Sequence, residues 1–169
     1  MLDEAAIERL YARLEAPLYN LAYRWLWNPE DAHDVVQEAF VRLWQMRQRV
    51  DMARVEPLVY RIAINLASNR RRRKRLWRWV SLEALRERAA GQPDAAVLLS
   101  DKQDRAALQA AIEALPEDKR RALLLCEFSA MSYAEVAEVL NIPPGTVASR
   151  RHHALKALRL SLGQPEDEP

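Results

Sequence analysis

The chain has 169 residues, half of them apolar, with only three glycines and a formal net charge of +2. That is enough apolar material for one medium core or two small ones, which excludes disorder throughout, and the dominance of Leu, Ala, Arg and Glu leaves little room for sheet. One cysteine allows no internal disulfide framework, no apolar run approaches the ~18 residues of a membrane span, and the start Met1-Leu2-Asp3-Glu4 lacks a signal pattern, so the expected compartment is the cytoplasm.

In chain order, Ile7 to Trp27 reads as a helix or a helix pair broken near Pro17. Asn28-Pro29-Glu30-Asp31 then supplies a capping Asn, a proline for the first helical position and two acids for the positive end of the dipole. The helix it opens repeats Ala32, Val35, Val36, Ala39, Phe40 and Leu43 at three- and four-residue steps. Periodicity is lost from Gln45 to Glu56, which reads as a loop. Pro57 suits the first turn of the next helix, running into Arg70-Arg71-Arg72-Arg73-Lys74-Arg75.

Residues 77–100 read as a linker around the turn-rich Gly91-Gln92-Pro93-Asp94. Ser100 to Gln103 has the spacing of a capping box, opening a helix through Ala106, Leu108, Ala111, Ile112 and Leu115, and Pro116-Glu117-Asp118 starts another. Cys126 sits in an apolar run, as a small hydrophobe. A second capping box, Ser132 to Glu135, begins a short helix to Leu140, the break Asn141 to Gly145 follows, and a last helix ends near Ser161. The expected fold is all-α, with two small helical domains at 1–76 and 101–162, the second containing a helix-turn-helix, and a disordered acidic tail at 163–169.

The charge is unevenly spread. Residues 1–60 hold seven basic and ten acidic side chains, whereas Arg70 to Arg78 holds seven basic and no acidic ones. Like charges one turn apart repel unless an anion compensates them, so the cluster points to a polyanion, with a targeting patch or an acidic protein as alternatives. Arg61, Asn65, Asn69 and Arg72 extend it as a polar stripe opposite Leu58, Ile62 and Leu66. Trp77 and Trp79 beside it suggest stacking on unpaired bases. On the last helix, Val147, Ala154 and Leu158 share one face, while Thr146, Ser149, Arg150 and His153 are available to a DNA groove. A plain helical hairpin with a solvated basic face fits that segment too.

Catalytic chemistry finds no footing: His33 diverges from Asp31 and Asp34 on a helix, and no nucleophile or phosphate loop accompanies them. Three histidines and one cysteine lack a zinc spacing, so neither metal nor cofactor is expected.

Asn28 to Trp44, Tyr60 to Ala67, Ala114 to Arg121, Met131 to Leu140 and Gly145 to Arg150, in that order, resemble the extracytoplasmic-function group of the sigma-70 family. The resemblance implies a non-enzymatic transcription initiation factor that binds core RNA polymerase at its β′ clamp and β flap, engages promoter DNA and answers to an anti-sigma factor. It implies polymerase contacts at Asp31, Asp34, Gln37, Glu38, Val41 and Trp44, and minus-10 contacts at Arg61, Asn65, Asn69, Arg70, Arg71 and Arg72. Minus-35 contacts fall to Thr146, Ser149, Arg150, His153 and Lys156, in a chain that is monomeric when free. Ala148 stands where the family often has Lys or Arg, Arg151 where it commonly has Leu, and His153 where it often has Arg. Arg151 falls on the inward face with Val147 and Ala154, where its head must snorkel or find an acid, unless the helix is rotated. A helix-turn-helix regulator acting without polymerase, and a helical adaptor, are the competing readings.

Overall fold

The computed structural model describes the backbone of residues 2–80 and 96–163 and the side chains of 2–76 and 102–163. Most of the expected linker and tail, and the side chains of Trp77 and Trp79, lie outside these. The described residues form helices α1 (Glu4–Leu26), α2 (Pro29–Gln45), α3 (Val55–Val80), α4 (Ala96–Ala114), α5 (Glu117–Phe128), α6 (Tyr133–Leu140) and α7 (Pro144–Ser161). Two 3₁₀ turns, Arg47–Arg49 and Met52–Arg54, fill the connection read as a loop.

The helix starts follow local chemistry. The Asp3 carboxylate accepts from the Ala6 N–H at 2.8 Å, and Asn28 Oδ1 accepts from the Asp31 N–H at 2.9 Å with Pro29 just inside the helix. Two expectations fail. Pro17 does not break α1, which runs through it; Leu14, Leu18 and Leu21 are buried on either side, and burial at roughly 1.5–3 kcal/mol per side chain outweighs the ~3 kcal/mol cost of the proline. α4 begins at Ala96, so Ser100 lies inside the helix rather than capping it; Ala96-Val97-Leu98-Leu99 carries helix-compatible residues upstream of the box. Pro57 lies in the first turn of α3 as expected, where its missing N–H has no intrahelical partner to lose, the helix starting at Val55.

α1, α2 and α3 pack on one another, and α5, α6 and α7 form a second group. The two do not keep separate cores. Leu124, Leu125, Val136, Ala137, Val139 and Val147 belong to the same buried cluster as Leu18, Trp25, Val59 and Ile64, because α5 lies on α1 and α6 lies on α3. Leu115, Leu123 and Ala154 form a small satellite core between α5 and α7.

Candidate functional site

The helix-turn-helix is built by its caps. Ser132 Oγ accepts from the Glu135 N–H at 3.3 Å while the Glu135 carboxylate accepts from the Ser132 N–H at 2.8 Å, which closes the capping box. That backbone hydrogen bond holds the Glu135 carboxyl below its ordinary pKa. Asn141 ends α6 in the left-handed region (φ 55°), a conformation Asn tolerates. The turn is only residues 141–143, shorter than expected, because Pro144 occupies the first position of α7, where its missing N–H costs nothing.

On α7, Val147 and Ala154 are fully buried, and Ser149, His153 and Lys156 are exposed on the other side, with Thr146 and Arg150 half-buried. Arg150 pairs with Asp118 at the start of α5, its Nε 3.3 Å from the carboxylate. The Arg151 problem is solved by an acid: its Nε donates to Glu127 at 2.8 Å and its Nη1 to the Tyr133 hydroxyl at 3.3 Å. The hydrogen bond to Glu127 raises the Arg151 pKa, and α7 needs no rotation.

The expected stripe on α3 is turned largely into the chain itself. Arg61 donates through Nε to the Val139 carbonyl at 3.1 Å and through Nη2 to the Glu138 carbonyl. These are the last carbonyls of α6, at the negative end of its dipole. Asn65 Oδ1 accepts from Arg121 at 3.3 Å, and Arg71 donates to the Glu113 carbonyl at 3.3 Å. Asn69, exposed, accepts from Arg72 at 3.1 Å. Arg70 pairs with Asp31 at 3.2 Å and Asp34 at 2.9 Å, and Lys74 with Asp31. Burial opposes the charge on Arg70, but its hydrogen bonds to the Asp34 and Asp31 carboxylates and their negative charges outweigh it and raise its pKa. Burial pushes the Arg71 pKa down. Part of the repulsion in the arginine run is therefore compensated by the chain's own acids rather than by a foreign polyanion.

On α2, Asp34, Gln37, Val41 and Trp44 recur at three- and four-residue steps along the solvent face, Val41 being 54% and Trp44 40% exposed. Asp31 and Glu38 are half-buried beside them. The Arg47 guanidinium lies 4.2 Å from the Trp44 ring centroid. Among the described residues, no group of three His, Cys, Asp or Glu could hold a metal, and no helix is long and apolar enough to cross a membrane.

Sequence reasoning missed two arginines at the seam. Arg120, buried, donates to the carbonyls of Ile112 (2.9 Å), Glu113 (2.6 Å) and Leu115 (2.7 Å), so it caps α4 from α5 while lying 5.3 Å from the Trp25 ring. Arg121 reaches Ser68 Oγ at 3.0 Å besides Asn65. The one available signal is that Arg120 falls in register with Leu123 and Leu124, a charge in an apolar position.

Residues 10–76 match the model of Sigma-70 region 2, and residues 105–158 that of Sigma-70, region 4. The chain is similar to the ECF RNA polymerase sigma factor SigW of Bacillus subtilis, 32% identical over 95% of this chain and 90% of that one. It is 34% identical to the ECF RNA polymerase sigma factor SigE of Mycolicibacterium smegmatis over 98% of this chain, which spans 66% of that relative. Its fold is similar to that of CnrH solved with the cytosolic domain of CnrY (TM-score 0.71, 22% identity, 95% of this chain and 90% of that one). It also resembles RpoE of Bartonella quintana solved with the anti-sigma factor NepR (TM-score 0.69, 20% identity, 95% and 98%). Two sigma-70 regions in order on one helical chain, with relatives along nearly its whole length, place the protein in the extracytoplasmic-function group of the sigma-70 family, whose members are transcription initiation factors and not enzymes.

Proposed function

We propose that the chain directs core RNA polymerase to its promoters by a two-point grip. Residues 101–162 read the minus-35 element through Thr146, Ser149, Arg150, His153 and Lys156 on α7. Residues 1–76 dock on the β′ clamp through the outer face of α2, Asp31 to Trp44, and hold the minus-10 strand through Arg61, Asn65, Asn69 and Arg70 to Arg72. The 77–100 segment links them, and the second part also meets the β flap. The chain works in the cytoplasm, is monomeric when free, and is controlled by an anti-sigma factor, a reading supported by the neighbour solved with NepR.

The observation that carries this reading is the opposite state of the two faces in the first part. The α2 face turns Gln37, Val41 and Trp44 to solvent, as a docking surface requires, whereas Arg61, Asn65 and Arg71 on α3 are spent on the second part. Promoter DNA and the second part therefore compete for the Arg61 and Arg71 donors and for the Asn65 carbonyl oxygen. The packing is a closed state, and engagement of the minus-10 strand exchanges carbonyl partners at the seam for phosphates and bases. Each bond given up is worth about 1.5–3 kcal/mol for a charged donor, an amount that polymerase docking and phosphate contacts can supply.

Reconstitution is the test. The purified chain with core polymerase is expected to start transcription at a small set of fragments in a genomic library, sharing a minus-35 and a minus-10 element at fixed spacing. Failure to start at any fragment, with active core polymerase, removes the reading.

A further inference from the structure

We infer that His153 is a specificity-determining residue that reads the minus-35 element as a hydrogen-bond acceptor, so that this chain selects adenine or cytosine at the base it faces. The inference rests on α7 being the minus-35 reading helix. His153 sits in the middle of the candidate face, one turn beyond Ser149 and Arg150 and one turn before Lys156, and it is exposed. Its Nδ1 lies 2.8 Å from the backbone carbonyl oxygen of Ser149 and 3.3 Å from Ser149 Oγ. A carbonyl oxygen only accepts, so at that distance Nδ1 carries the proton and donates it. In the neutral ring Nε2 is then left with a lone pair, because the tautomer of an imidazole is set by the bond its other nitrogen makes.

The neighbours make this acceptor distinctive. Arg150 and Lys156 can only donate, so they suit guanine edges or phosphates, and the hydroxyls of Thr146 and Ser149 serve either way. Among Thr146, Ser149, Arg150, His153 and Lys156, only His153 presents a nitrogen lone pair, at Nε2. In the major groove the complementary donors are the N6 amino group of adenine and the N4 amino group of cytosine, whereas guanine and thymine present acceptors there. An arginine at this position would read the opposite way, favouring the O6 and N7 acceptors of guanine. With its Nδ1 proton held by the Ser149 carbonyl, His153 has a base preference opposite to that of an arginine at this position. The ring is further steadied by the edge of His152, 5.7 Å away at 77°.

Two measurements test this on the full chain. First, the ¹⁵N shifts of the His153 imidazole in the free protein at neutral pH are expected to show a protonated Nδ1 and a bare Nε2; a bare Nδ1 overturns the proposal without reference to DNA. Second, holoenzyme formed with core polymerase is presented with promoters whose minus-35 element is randomised. The wild type is expected to enrich adenine or cytosine over guanine at one position by about tenfold. His153→Arg, an exposed substitution that leaves the core untouched, is expected to turn that position to guanine with the others unchanged. Guanine preference in the wild type on the same strand that His153→Arg reads as guanine, or a profile indifferent to His153→Arg, overturns the proposal. Loss of any minus-35 preference in the wild type would instead overturn the assignment of α7 as the reading helix, together with what rests on it.

Discussion

Arg151 illustrates how a residue that looks misplaced in a helix pattern is made tolerable by one partner from another element. Between Val147 and Ala154, both fully buried, it keeps its side chain a third exposed and delivers the guanidinium to Glu127 on α5. Nothing in the register of α7 alone forecasts that Glu127 stands there. Tyr60 is the counterpart in the apolar core: burial, with the nearby Glu56 charge adding to it, pushes its phenol pKa up to about 12. The pKa is raised on folding, so the stabilisation is complete below the unfolded value near ~10 and is lost as pH rises through ~12. Denaturant unfolding of wild type and Tyr60→Phe is expected to show a steeper loss for the wild type across that window, by on the order of 2 kcal/mol. Parallel pH profiles for the two would show that Tyr60 does not carry the shift.

At the scale of elements, the short α6 depends on its ends more than on its length. Eight residues make barely two turns, too few to hold a helix by backbone bonds alone. Its start is fixed by the reciprocal Ser132 and Glu135 bonds, its end by Asn141 and, from the other part of the chain, by Arg61. Ser132→Ala removes one side of the box and is expected to destabilise the chain by about 1 kcal/mol, read by thermal or urea unfolding. A change within error would mean that packing of Val136 and Val139, not capping, holds α6. The same end-control explains which helix boundaries were legible. Asn28-Pro29 and Ser132-Tyr133-Ala134-Glu135 are local signals whose partners lie within four residues, and both are used. The Ser100 box is equally good locally but loses to the helix continuing upstream from Ala96.

At the scale of the molecule, the seam between the two parts is polar at its edges and apolar at its centre. Arg54 meets Glu138 at 3.4 Å, Arg121 meets Asn65 and Ser68, and Arg24 lies 5.9 Å from the Phe128 ring centroid. Arg121→Ala combined with Glu138→Lys removes three edge contacts and sets a lysine against Arg54 and Arg61. At roughly 1 kcal/mol per contact, the balance between closed and open forms moves about 150-fold towards open. Small-angle scattering is expected to report a larger radius of gyration, and a single-stranded minus-10 oligonucleotide to bind more tightly than it does to the wild type. A compact variant with unchanged oligonucleotide affinity would show that the seam does not mask the stripe.

The sequence alone determined the helical class, the starts of α2, α5 and α6 and the buried face of α2 and α7, because each is encoded by spacing and capping within a few residues, while the order of the two sigma regions was legible through the family resemblance of those segments. The polar stripe on α3 was legible as a stripe for the same reason. Only the tertiary structure decided what the stripe touches: Arg61, Asn65 and Arg71 find partners some 40 to 80 positions away in sequence, and a side chain's partner at that separation depends on how two helical groups pack. It likewise merged two expected cores into one, since the apolar faces of α5 and α6 are covered by α1 and α3 rather than by their own neighbours alone.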